Sequence, residues 1–112
     1  MATGEQHIVF RVQNEMYALS IMRVQEIIKT KDICETPNSA RPYLKGVMNV
    51  RGNIIPVISL SERFGHIQQP LKQATRIIIT KLHDQLIGIL VDEIVKVERF
   101  AHHPLPETIS EN

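Results

Sequence analysis

The stretch Lys45-Gly46-Val47-Met48-Asn49-Val50-Arg51-Gly52-Asn53-Ile54-Ile55-Pro56-Val57-Ile58-Ser59-Leu60 decides the fold class. It reads as two apolar strands folded back through Arg51-Gly52-Asn53, because Gly and Asn accept positive φ at little cost. Val and Ile, branched at Cβ, suit a pleated surface. Alternation is poor: Val47, Val50, Ile54, Ile55, Val57 and Ile58 fall on both faces, as in a doubly buried strand or a small closed barrel. Pro56 has no N–H for a ladder and belongs at an edge or a bulge. Arg51 puts a fixed cation at the mouth of this apolar hairpin, with Asn49 two residues earlier on the same face. Such a charge requires a partner.

Working outward, residues 7–13 alternate, with Ile8, Phe10 and Val12 on one side, and predict a half-buried strand. Asn14-Glu15 is the expected turn into a second strand over 16–19, and 20–22 a short link. Residues 23–29 have helix propensity, but the segment is short and lies among strands, with Val24, Glu26 and Ile28 on one face. It is assigned as a strand. Residues 30–38 form a polar loop and 39–44 one helical turn. A short helix over 61–65 has Ser59 or Ser61 as its cap and Gly65 as its stop. A loop over 66–74 precedes strands at 75–82 and 85–91, joined by His83-Asp84. After Asp92-Glu93, residues 94–98 alternate as a surface strand, and the tail from Arg99, with Pro104 and Pro106, is irregular. Short strands with closely spaced turn signals predict an all-β barrel or pair of barrels. No long helical pattern separates them, which disfavours α/β.

Composition narrows the function. A chain of 112 residues is one domain, and 43% hydrophobic with 22% charged residues is ordinary for a soluble globular protein. Thirteen basic and 12 acidic residues leave a net charge of +1, and 4% aromatics without Trp offer few stacking platforms, so nucleic acid is not indicated. The single cysteine, Cys34, cannot pair internally and fits a reducing cytoplasm. No apolar run reaches transmembrane length, and the first residues lack a secretion signal.

Catalysis finds no constellation. Asp92 and Glu93 are adjacent and, in a strand, point to opposite faces. Cys34 has no base beside it, and a lone loop cysteine is usually inert. His102-His103 has no third metal ligand at a usable spacing. Gly46, Gly52, Gly65 and Gly88 do not compose a phosphate loop. No catalytic residue, metal or cofactor is implied.

A binding module accounts for more. Val24-Gln25-Glu26-Ile27, then residues 44–52 with Ile55-Pro56-Val57-Ile58-Ser59-Leu60, then Gly88-Ile89-Leu90-Val91-Asp92-Glu93-Ile94, closely resemble the CheW family of bacterial chemotaxis adaptors. The resemblance covers residues 7–106 and rests on three motifs in order. It implies two small five-stranded β-barrels with short helices, and no catalysis. It implies a scaffold that couples chemoreceptors to a CheA-type histidine kinase, in the cytoplasm, at receptor arrays on the inner face of the membrane. Residues 18–66 correspond to a second barrel; residues 6–17 and 75–112 correspond to a first barrel short of its closing strands.

Carried over by position, the kinase-binding end comprises Val24, Glu26 and Gly46. The receptor-binding groove comprises Ile77, Ile94 and Val97, with Arg51 at its edge. An apolar groove accepts one face of an amphipathic helix, and receptor tips are helical hairpins. For Ile77 the competing reading is plain core packing. Ile94 and Val97 are three apart and face opposite ways unless a bulge intervenes. Glu26 is the expected partner of Arg51, in a partly buried ion pair that is either a structural bridge or a contact surface. Gly46→Asp is expected to abolish kinase binding and spare the fold. A chain ending at Asn112 is expected to leave open edges that favour a homodimer, unless the tail folds back. The alternatives are a fragment of the kinase's own regulatory domain, or a barrel of other specificity. The start at Met1 favours the adaptor.

Overall fold

The computed structural model describes residues 4–30, 33–35, 41 and 43–101. Its strands are β1 (Gly4–Val12), β2 (Glu15–Ser20), β3 (Val24–Ile28), β4 (Cys34–Glu35), β5 (Leu44–Val50), β6 (Asn53–Ser59), β7 (Arg76–Leu82), β8 (Gln85–Val91) and β9 (Glu93–Ala101). One 3-10 turn, Ile21–Arg23, and one helix, α1 (Leu60–Arg63), complete the regular structure. The fold is all-β, as the turn spacing predicts. β2-β1-β9 form a three-stranded sheet, and β3-β7-β8-β6-β5-β4 a six-stranded one. β6 and β8 pair in parallel through Val57–Gly88 to Ser59–Leu90; the connection holds α1 and β7, as a parallel pair requires a crossover.

Packing turns on β7. Successive strand residues point to opposite faces, yet Ile77, Ile78, Ile79 and Thr80 are all buried, so both faces of β7 are covered. Ile77 and Ile79 join Met48, Ile55, Val57 and Leu90 in one core. Ile78 joins Ile8, Phe10, Val12 and Val91 in the other. The β7–β8 ribbon is therefore a wall shared by two cores. β7 is the strand buried on both faces; of the two readings of the β5–β6 run, the doubly buried one does not hold, since β6 buries Ile55, Val57 and Ser59 and leaves Ile54 exposed. β3 pairs with β7 and β6 with β8, so one continuous sheet connects the 18–66 stretch to the 75–112 stretch.

Local chemistry moved several boundaries. The β5–β6 reversal is Arg51-Gly52 alone, with Asn53 already paired to Val50. The β1–β2 turn is Gln13-Asn14, one residue earlier than expected, and Gln13 is held there by its N–H donating to Asp92 Oδ2 at 2.7 Å. Pro56 faces Val47 of β5, and pairing with β8 starts only at Val57, so its missing N–H falls where β6 has a single neighbour. Ser59, rather than Ser61, caps α1, its Oγ accepting the Glu62 N–H at 3.1 Å, and Gly65 ends the turn at φ 92°. The strand near the end runs to Ala101 instead of stopping before Arg99, because it pairs with β1 as far as Gly4. Of the helical turn expected over 39–44, residues 39, 40 and 42 lie outside the described residues, and Leu44 already opens β5.

Gly46 corrects one expectation. It is buried opposite Glu35, and a Cβ there would lie 2.2 Å from the Cys34 carbonyl oxygen and 2.9 Å from Glu35 Cα. The clash is with backbone, so no rotamer relieves it. Gly46→Asp would displace β4 before it tested any partner contact. Gly46→Ala is expected to lower unfolding free energy by about 1–3 kcal/mol, the usual cost of overpacking, as read from urea midpoints at constant slope.

Candidate protein-interaction site

The turn at the tip of β5–β6 has Arg51 at φ 52° and Gly52 at φ 85°. Two positive φ values in a two-residue loop match the twist of a hairpin, and Asn49 Oδ1 steadies it by accepting the Gly52 N–H at 2.9 Å. Glycine suits this conformation and arginine does not; a left-handed residue with a Cβ costs about 1–2 kcal/mol. The two-residue turn imposes it all the same, as the other hairpin turns do on Gln13, His83 and Asp84, and the Arg51 side chain forks onto Glu26, Nη1 and Nη2 donating to Oε1 and Oε2 at 2.5 and 3.1 Å. This is the predicted pair, in fork-to-fork geometry. Its burial differs from the expectation, for the Glu26 side chain is 25% exposed but that of Arg51 75%. The bridge is therefore a surface feature whose stabilisation is small.

Glu26 reaches the turn because the six-stranded sheet curls. β7 and β8 lie between β3 and β6 in the sheet, yet Ile28 of β3 and Val50 of β5 pack on the same core. A bulge at Gln25 helps: Val24 pairs with Thr80 and Glu26 with Ile79, leaving Gln25 as the extra residue. Bulges re-aim side chains. Thr80 Oγ1 fixes the strand's start by donating to the Arg23 carbonyl at 2.6 Å. Val24 is half-buried against the second core, and Gly46 lies further along β5 against β4.

The residues expected to line one groove do not meet. Ile77 is fully buried in the first core and has no surface to offer, so core packing is its role. Ile94 packs on the second core, across the shared wall from Ile77. Ile94 and Val97 themselves are brought to one face. Ile94 pairs with Phe10, Lys96 with Val9 and Val97 with Ile8, so Val95 is a bulge. Directly paired residues project to the same side, as do Ile8 and Phe10, and hence Val97 and Ile94 do too. Val97 remains 51% exposed.

One cluster escaped the sequence reading. Asp92 and Glu93 do not diverge, because Asp92 is a bend between β8 and β9 and not a strand residue. Both carboxylates reach Arg11: Nε and Nη2 donate to Glu93 Oε1 at 3.0 and 2.9 Å, and Nη1 lies 3.5 Å from Asp92 Oδ2. The signal was the alternation itself, which places Arg11 on the polar face of β1. Cys34 is exposed and free. His102 and His103 lie outside the described residues, among which no group of three or more His, Cys, Asp or Glu suits a metal. Among the described residues no helix is long and apolar enough to cross a membrane.

Residues 6–112 match the model of the CheW-like domain. The chain is 35% identical to chemotaxis protein CheW of Helicobacter pylori, covering 96% of this chain and 66% of that protein. Against chemotaxis protein CheW of Bacillus subtilis the identity is 34%, covering 98% and 72%. The chain thus spans about two thirds of the length of these relatives. Its fold superposes on the crystal structure of scaffolding protein TtCheW from Thermoanaerobacter tengcongensis with a TM-score of 0.83 at 32% identity, covering 96% of this chain and 75% of that one.

Arg51→Asn is expected to leave thermal stability within about 1 kcal/mol of the parent, since the loss of a surface bridge is offset by relief of left-handed strain. A double-mutant cycle with Glu26→Gln checks the pair, with an expected coupling of about 0.2–1 kcal/mol in unfolding.

Proposed function

The chain belongs to the CheW-like family, and on that footing we propose that it is a non-catalytic adaptor of bacterial chemotaxis, coupling chemoreceptors to a CheA-type histidine kinase. The observation that carries this reading is the match of residues 6–112 to the CheW-like domain, with Arg51 three-quarters exposed at a hairpin tip where a partner can reach it.

In this reading Val24 and Glu26 meet the kinase's regulatory domain, and Gly46 contributes by letting β4 lie close to β5. Arg51, Ile94 and Val97 meet one face of the receptor's helical tip. The kinase residues Val24 and Glu26 then lie on β3 of the six-stranded sheet, while the receptor face runs from Ile94 and Val97 on β9 of the three-stranded sheet to Arg51, which adjoins Glu26 at the β5–β6 tip. Its place would be the cytoplasmic side of the membrane, beside the receptor tips. Self-association belongs to the same proposal: β2 and β9 each have one hydrogen-bonded neighbour among the described residues, and Met16 and Val97 are exposed on them.

Calorimetry with a receptor cytoplasmic fragment and, separately, the isolated kinase regulatory domain tests the coupling. Each is expected to bind alone, and a ternary complex is expected in size exclusion. Glu26→Arg should weaken the kinase domain by about tenfold or more, with an unchanged circular dichroism spectrum. Failure of both to bind, or mutual competition, contradicts an adaptor.

A further inference from the structure

We infer that Arg11, Asp92 and Glu93 are positioning residues: they fix the angle at which β9 leaves the six-stranded sheet, and so set the receptor face without touching the receptor. The corner is one residue long. β8 ends at Val91 in the six-stranded sheet, β9 begins at Glu93 in the three-stranded sheet, and only Asp92 lies between. That residue is held from both sides. Its N–H donates to the Arg11 carbonyl at 2.9 Å, and its Oδ2 accepts the Gln13 N–H at 2.7 Å.

Arg11 completes the clasp. It sits directly opposite Glu93 in the ladder, gives two N–H groups to Glu93 Oε1, and donates from Nη1 to the Gln13 carbonyl at 2.7 Å. Only a planar fork with several donors spans these acceptors at once. Gln13 extends the network to α1, the helix that directly follows β6, its Nε2 donating to Ser61 Oγ at 2.5 Å. The core between the sheets, with Phe10 and Val12 against Ile78 and Val91, brings them together but is non-directional. The hydrogen bonds at the corner supply the direction.

The lever is long. At about 3.3 Å per residue, Val97 lies roughly 16 Å from Asp92, so a rotation of about 10° at the corner moves it by roughly 3 Å. Because β9 is paired with β1 along its length, the three-stranded sheet turns as a body. Ile94 and Val97 move with it relative to Arg51, Val24 and Glu26, which belong to the six-stranded sheet.

The last step, from angle to affinity, rests on the receptor reading above. The test measures angle and affinity separately. Spin labels at Ala18→Cys on β2 and Lys81→Cys on β7, in a Cys34→Ser background, report the sheet-to-sheet distance by pulsed electron resonance. Arg11→Gln is expected to broaden or shift that distribution and to weaken a receptor fragment about tenfold, leaving the kinase regulatory domain within about twofold. Asp92→Asn, which keeps the acceptor for Gln13 and loses the charge, should fall between parent and Arg11→Gln. Should Arg11→Gln fail to fold, Arg11→Lys, which keeps the charge without the fork, is read in the same way. An unchanged label distribution overturns the inference, as does an equal loss for both partners. Should the parent chain not bind the receptor fragment, the functional reading fails, and the label distances alone decide the clasp.

Discussion

The structure depends on one strand being buried on both faces. Ile77, Ile78 and Ile79 cannot all be core residues of a single layer, since neighbours in a strand point oppositely. β7 resolves this by standing between two apolar clusters, with β8 beside it supplying Leu90 to one and Val91 to the other. Gly88 belongs to the same constraint: it pairs with both Ile79 and Val57, and a Cβ there would lie 2.8 Å from Ile77 Cγ2. A small domain gains from this economy, because one wall closes two cores. It also means that neither sheet can be repacked without disturbing the other.

Where the ladders depart from regularity, they do so near the candidate contact residues. The β3–β7 pair is bulged at Gln25, between Val24 and Glu26. The β1–β9 pair is bulged at Val95, between Ile94 and Val97, and the β5–β6 pair at Lys45, beside Gly46. Each bulge changes which way the following side chains face, and such features recur beside functional sites. The extra residues fall on β3, β5 and β9, whereas β1, β6, β7 and β8 supply every buried core side chain but Met48 among the described residues. Lys45 is itself tied down, its Nζ donating to Glu62 Oε1 at 2.9 Å and so linking that bulge to α1.

The strand inventory was legible in the sequence because it follows from local rules, turn residues and alternation; that Arg51 needs an anion follows from its charge, but Glu26 as that anion came from the family resemblance. Ile77 was not, since periodicity says that a residue is inward but not which core it meets. Ile94 and Val97 hinged on a bulge that leaves no mark in residue type. Asp92-Glu93 was misread because a one-residue corner looks like a strand when the two strands around it are both apolar. Gly46 was legible as a close approach, but the backbone it approaches is β4 of its own chain, and a two-residue strand inside a polar loop gives too little pattern to see.

Native-state hydrogen exchange tests the shared wall most directly. If β7 and β8 close both cores, their amides exchange only through global unfolding, with the highest protection in the molecule, and β1 and β6 reach the same free-energy limit. Protection of β7 and β8 below that of β5 and β6, or opening of the β2-β1-β9 sheet while β7 stays closed at much higher free energy, would contradict the account.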